Sequence, residues 1–100
     1  MTVNWSDNAI DRLREYIRHI AEEGGIETTD KWHSRLIESV DLLELFPTMC
    51  PLSPIPELAV LGIHELAYGS YRVFYVILET ECRIISILHS RQYVASVSNL

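Results

Sequence analysis

Seven polar residues interrupt the otherwise apolar pattern of the C-terminal half: His64, Glu65, Arg72, Arg83, Ser86, His89 and Arg91. Arg72 sits inside Tyr71-Arg72-Val73-Phe74-Tyr75, and a guanidinium among apolar neighbours must end at a partner or at water. It either meets an external anion or snorkels to pair with Glu65 across a hairpin. His89, in Ile87-Leu88-His89-Ser90-Arg91, falls at a strand exit. There an imidazole, with an unperturbed pKa of about 6.5, suits general acid or base work at neutral pH; the competing reading is a ring tied to backbone. His64 carries the same two readings, whereas His19 and His33 fall in helical segments and read as surface. Neither Cys50 nor Cys82 has a basic neighbour that would favour a thiolate, and no CxxC or CxxH spacing suggests zinc or a disulfide scaffold. No Gly-rich phosphate loop, Gly-x-Ser-x-Gly elbow or HExxH occurs, which removes most common enzyme classes.

These groups need elements to hold them. Thr2 to Trp5 is a short β-prone segment, followed by Ser6-Asp7-Asn8 as an N-cap with an acidic first turn. Ile10, Leu13, Ile17 and Ile20 then repeat at helical spacing until Gly24-Gly25. Thr28 and Thr29 are the next N-cap candidates, and Trp32, Leu36, Val40 and Leu43 form a second stripe that ends at Pro47. A connection of about five residues favours an antiparallel helical hairpin. Around the first stripe, Asp11/Arg14, Glu15/Arg18 and Arg18/Glu22 have pairing distance in sequence, so these arginines read as a solvated face.

All four prolines (47, 51, 54, 56) fall in residues 47–59, which read as a loop. Three strand-like runs follow, at 61–68, 71–78 and 82–89, the spacing of a three-stranded antiparallel meander. Both parities of the middle run are apolar, as a central strand requires. One face must meet the helices, and the other is more apolar than a lone domain needs, which points to a binding surface. The last hairpin has two possible registers. A pairing sum of 161 puts Arg72 opposite His89 on one face, whereas a sum of 160 puts Tyr71 there and Arg72 opposite Leu88. The Glu79-Thr80-Glu81 turn lacks Gly and does not choose.

A chain of 100 residues, 48% hydrophobic and 22% charged, is expected to be one globular α+β domain over residues 1–100. Eight Lys plus Arg against fourteen Asp plus Glu give a net charge of -6, so a generalised basic footprint for nucleic acid or anionic membrane is absent. The start has neither a basic nor an apolar leader region, and no run approaches the roughly 18 to 20 apolar residues of a membrane span. A reduced, cytoplasmic protein is the expectation.

The order strand, helical hairpin, meander, with Val3-Asn4-Trp5-Ser6 through Ala9 at its front, resembles the RelE/ParE superfamily of toxins from bacterial type II toxin-antitoxin systems. Leu42-Leu43-Glu44-Leu45-Phe46-Pro47 is similar to the end of the family's second helix, and Leu61-Gly62-Ile63-His64-Glu65-Leu66 to its second strand. Tyr71-Arg72-Val73-Phe74-Tyr75 is similar to its central strand and Ile87-Leu88-His89-Ser90-Arg91 to its closing strand. The resemblance implies a cytoplasmic toxin neutralised by a cognate antitoxin, with no cofactor and no metal.

Two targets follow from it. A ParE-like member binds and poisons DNA gyrase, an activity of plasmid stabilisation systems that arrests growth. A RelE-like member cleaves mRNA in the ribosome, activating the 2'-hydroxyl while cations stabilise the phosphorane. In the second case Arg72, His89 and Arg91 are the catalytic set. Target or antitoxin contact is expected at His64, Tyr71, Arg72, Tyr75 and Arg91. The single lysine, Lys31, the acidic balance, and His64 where many relatives carry arginine favour gyrase binding, with Arg14 and Arg18 as candidate contacts. A third reading is a degenerate member that binds its antitoxin and is not toxic.

Overall fold

The computed structural model describes residues 1–92. Strand β1 (Thr2–Trp5) leads into α1 (Asp7–Asp41), a 3-10 turn at Leu42–Glu44, a short α2 (Pro56–Val60), and strands β2 (Ile63–Tyr68), β3 (Tyr71–Ile77) and β4 (Glu81–His89). Ser6 caps α1 as expected, accepting from the Ala9 N–H at 3.1 Å.

Drawn straight, the 35 residues of α1 would span about 52 Å, yet the longest dimension of the molecule is 38 Å. The break is Gly25, at φ 81° and ψ 176°. Tyr16 of the first arm and Trp32 of the second both set their ring edges on Tyr71, with centroids 5.0 Å away. The arms therefore fold back over one layer, the expected hairpin, joined by one non-helical residue instead of five. Thr29 is not an N-cap: its hydroxyl donates back to the Gly25 carbonyl at 2.7 Å. None of the three charge pairs expected on the first arm closes to 4 Å among the described residues; His19 to Glu23, at 3.4 Å, is the pair that forms there.

The sheet runs β1-β4-β3-β2, with the β2-β3-β4 meander antiparallel and β1 parallel to β4. Its inner face buries Val73, Tyr75, Ile84 and Ile87 against Ala9, Leu13, Leu36, Val40 and Leu43 of the helical layer. Its outer face is not bare. Although its prolines suggested loop, the 47–59 stretch closes with α2, where Pro56 takes a first-turn position. Leu58 and Ile55 cover Ile63, Phe74 and Leu88, so α2 takes up much of the apolar surplus expected on that face.

Register along β3 and β4 starts at Tyr71↔His89 and Arg72↔Leu88, then shifts between Phe74↔Ser86 and Tyr75↔Ile84. Ile85 is the extra residue of this β-bulge. Its carbonyl accepts from Ser6 Oγ at 3.2 Å and Asn8 Nδ2 at 3.1 Å, so the start of α1 is tied to the bulge. One added residue reverses the parity of β4. Cys82 and Ile84 face the helices before it, Ile87 after it, and His89 continues on that inner side.

Candidate functional site

Where β3 begins and β4 ends, the strand termini meet the first arm of α1 and enclose a cleft of about 380 Å³. Tyr71 is its centre. Its ring stands edge-on to Tyr16, Trp32 and His89, each centroid 5.0 Å away, geometry that suits the aromatic quadrupole. Burial pushes the Tyr71 phenol above its ordinary value, and the neighbouring Tyr16 and Glu23 push the same way. That phenol stays protonated, suited to donating a hydrogen bond instead of surrendering a proton.

Tyr16 binds the strand end to the helix. Its hydroxyl accepts from the His89 N–H at 2.9 Å and donates to Gln92 Oε1. The His89 ring accepts the Arg91 N–H at Nδ1, 3.1 Å, so the neutral imidazole carries its proton on Nε2. His19, Ile20, Glu23 and the exposed Arg91 complete the wall. The cleft thus offers hydrogen-bond donors, two imidazoles and a single guanidinium opposed by one carboxylate.

Of the residues singled out in sequence, Tyr71, His89 and Arg91 converge here. Arg72 does not: paired with Leu88, it lies on the outer face of the sheet. Its Nε is 3.9 Å from Glu65 Oε2, and its Nη1 donates to the carbonyls of Gly69 at 2.9 Å and Tyr71 at 2.8 Å. This is the pairing with Glu65 named above. Glu65 also accepts from Ser53 Oγ at 2.9 Å.

His64 and Tyr75 stand elsewhere on the inner face. Tyr75 lies four residues along β3 from Tyr71, about 13 Å at strand rise. It is fully buried and donates its hydroxyl to the Pro47 carbonyl at 2.9 Å, so as folded it presents no surface to a partner. Burial drives its phenol far upward, with the Cys50 thiol beside it acting in the same direction. His64 stacks on the Tyr75 ring and donates from Nδ1 to the Cys50 carbonyl at 2.8 Å. Together they fasten the 47–53 strap to β2 and β3. Burial raises the Cys50 and Cys82 thiols as well.

Sequence reasoning missed Tyr16 and Glu23 and placed His19 on the bare surface. A signal was present: Tyr16, His19 and Glu23 follow one another at spacings of 3 and 4 and share a helix face. Among the described residues no cluster of three metal-ligating side chains occurs, and no helix is long and apolar enough to cross a membrane.

The sequence profile of the ParE toxin of type II toxin-antitoxin system, parDE, matches residues 3–93. Among curated protein sequences nothing matches the chain. Solved structures share this fold. A chain of the chromosomal ParDE toxin-antitoxin system from P. aeruginosa superposes with a TM-score of 0.74 at 19% identity, covering 89% of this chain and 95% of that one. A chain of the RelBE2 toxin-antitoxin complex from Mycobacterium tuberculosis gives a TM-score of 0.62 at 22% identity, covering 88% of each.

Proposed function

Since the chain belongs to the ParE toxin family of type II toxin-antitoxin systems, we propose that it arrests growth by binding DNA gyrase and is neutralised by its cognate antitoxin. The observation that carries the gyrase reading is the register of the last hairpin. RNA cleavage through Arg72, His89 and Arg91 needs the three on one face of the sheet, where a base and cations converge on a phosphate. Instead, Arg72 points away from His89 and is engaged by Glu65. One exposed guanidinium, Arg91, remains at the cleft of a chain with net charge -6, weak provision for an RNA-bound target. A protein surface is met through Tyr71, His89 and Arg91 at the cleft, and the exposed Arg14 and Arg18, about half a turn around the first arm from Tyr16, offer a second contact outside it.

Pulse-labelling of DNA and protein synthesis after brief induction of the chain without its antitoxin tests this. DNA synthesis is expected to fall first, and purified chain to inhibit supercoiling by gyrase, with Arg91→Ala and Arg14→Ala/Arg18→Ala weakening inhibition. Protein synthesis falling first, with supercoiling untouched, would overturn the gyrase reading and return attention to His89 as a proton carrier. Arrest of neither process would leave a degenerate antitoxin-binding member.

A further inference from the structure

Away from the cleft, at the far end of the second arm, four large apolar side chains stand in water: Leu42 (49% exposed), Leu45 (75%), Phe46 (57%) and Met49 (40%). Backbone bonds from Leu45 N and Phe46 N to Leu42 O, and from Met49 N to Phe46 O, wind this stretch into successive tight turns, so the four emerge from one compact knob. An apolar group of this size on an otherwise acidic surface marks an interaction site.

Its charge surroundings identify the partner. Glu38, Asp41 and Glu44, three residues apart, run along the same end of the helix and its 3-10 extension. They sit at the negative end of the helix dipole, whose last turn holds no basic residue, and the Met1 ammonium, which donates to the Glu44 carbonyl at 3.2 Å, is the cation the structure sets beside them. Three carboxylates against one ammonium leave this end of the helix net negative, so a further positive group is favourable there. A second copy of this chain would set the same carboxylates against themselves across a two-fold axis, in a protein of net charge -6.

We propose that the knob of Leu42, Leu45, Phe46 and Met49 docks a segment of the antitoxin whose apolar side chains are flanked by lysine or arginine. The apolar residues give affinity and the carboxylates give orientation and encounter rate. Choosing the antitoxin as occupant rests on the toxin reading above. The site itself is separate from the cleft, so a neutralised complex held here leaves the Tyr71–His89 surface outside the contact.

Titration of the purified antitoxin encoded beside this chain tests the proposal, using the parent, Leu45→Ser/Phe46→Ser and Glu38→Gln/Asp41→Asn/Glu44→Gln. The apolar double variant is expected to bind about 100-fold more weakly. The neutralised triple should lose about tenfold at low salt and most of the salt dependence. All these side chains are at the surface, so both variants should keep the parent's thermal midpoint; should the first fail to fold, the second still decides. Parent-like binding by both variants would overturn this site while leaving the toxin reading intact. An antitoxin that ignores the parent would overturn the reading beneath it, and a parent dimer that the double variant dissociates would assign the knob to a second copy instead.

Discussion

Replacing Gly25 by alanine should separate backbone strain from every other contribution to the hairpin. At φ 81° and ψ 176°, Gly25 occupies a region open essentially to glycine alone. A Cβ built there meets nothing within 4 Å, so steric contact adds no cost. The penalty is conformational, about 1–3 kcal/mol, or roughly 4–8 °C of thermal midpoint per kcal/mol in a domain of this size. Gly24 is the internal control. It is helical, and its added Cβ would lie 3.2 Å from Cγ2 of Thr28, the end of a rotatable side chain. Alanine there should gain up to about 0.5–1 kcal/mol, less whatever Thr28 must yield. Urea unfolding followed through Trp5 and Trp32 fluorescence measures both. The strain argument fails if Gly25→Ala is as stable as the parent, or if Gly24→Ala is the more damaging change.

Ser6→Ala removes both the cap on α1 and a donor to the bulge carbonyl of Ile85, so unfolding in urea should show a loss of about 1–2 kcal/mol; under 0.3 kcal/mol would contradict the coupling. Tyr16→Phe keeps the ring contact with Tyr71 but frees the His89 N–H and Gln92. A loss of about 1–2 kcal/mol and faster hydrogen exchange at the His89 amide are expected, and unchanged exchange would contradict the tether. Glu81 is held below its ordinary value of 4.5 by hydrogen bonds from Asn4 and Arg83. Its contribution is therefore complete above that value and lost as pH falls through the lower, folded one. Melting of the parent and Glu81→Gln across pH should show a difference near neutrality that closes in acid; a gap constant down to about pH 2 would refute it.

Periodicity made the main elements legible, because burying one face forces apolar residues onto helical or alternating spacing. The stripes ending in Leu36, Val40 and Leu43, and the three strand runs, needed nothing more. What spacing could not carry was long-range or chemically ambiguous. Gly24-Gly25 followed by Thr28-Thr29 reads equally as stop-and-restart or as one sharp corner, and only Thr29 bonding backward to Gly25 distinguishes them. The parallel pairing of β1 with β4 has no local marker. Density of proline hid α2, although Pro56 followed by Glu57 is a helix start in its own right. For the site, strand position brought out Tyr71, His89 and Arg91. The fate of Arg72 depended on a register that the glycine-free turn left open and on a bulge no residue type announces.

The place of β4 also governs when this protein can exist. It is the last element among the described residues, yet it lies inside the sheet, holding β3 on one side and β1 on the other, with Thr2 paired to Glu81 across 79 positions of sequence. During synthesis the helical hairpin and the β2–β3 ribbon emerge first, and a two-stranded ribbon is marginal in water. Nothing seats the inner-face residues or closes the cleft until His89 has left the ribosome, and the closing contacts have the long sequence separation that slows folding. A ribosome that stalls before β4 therefore releases an unfinished sheet with no cleft.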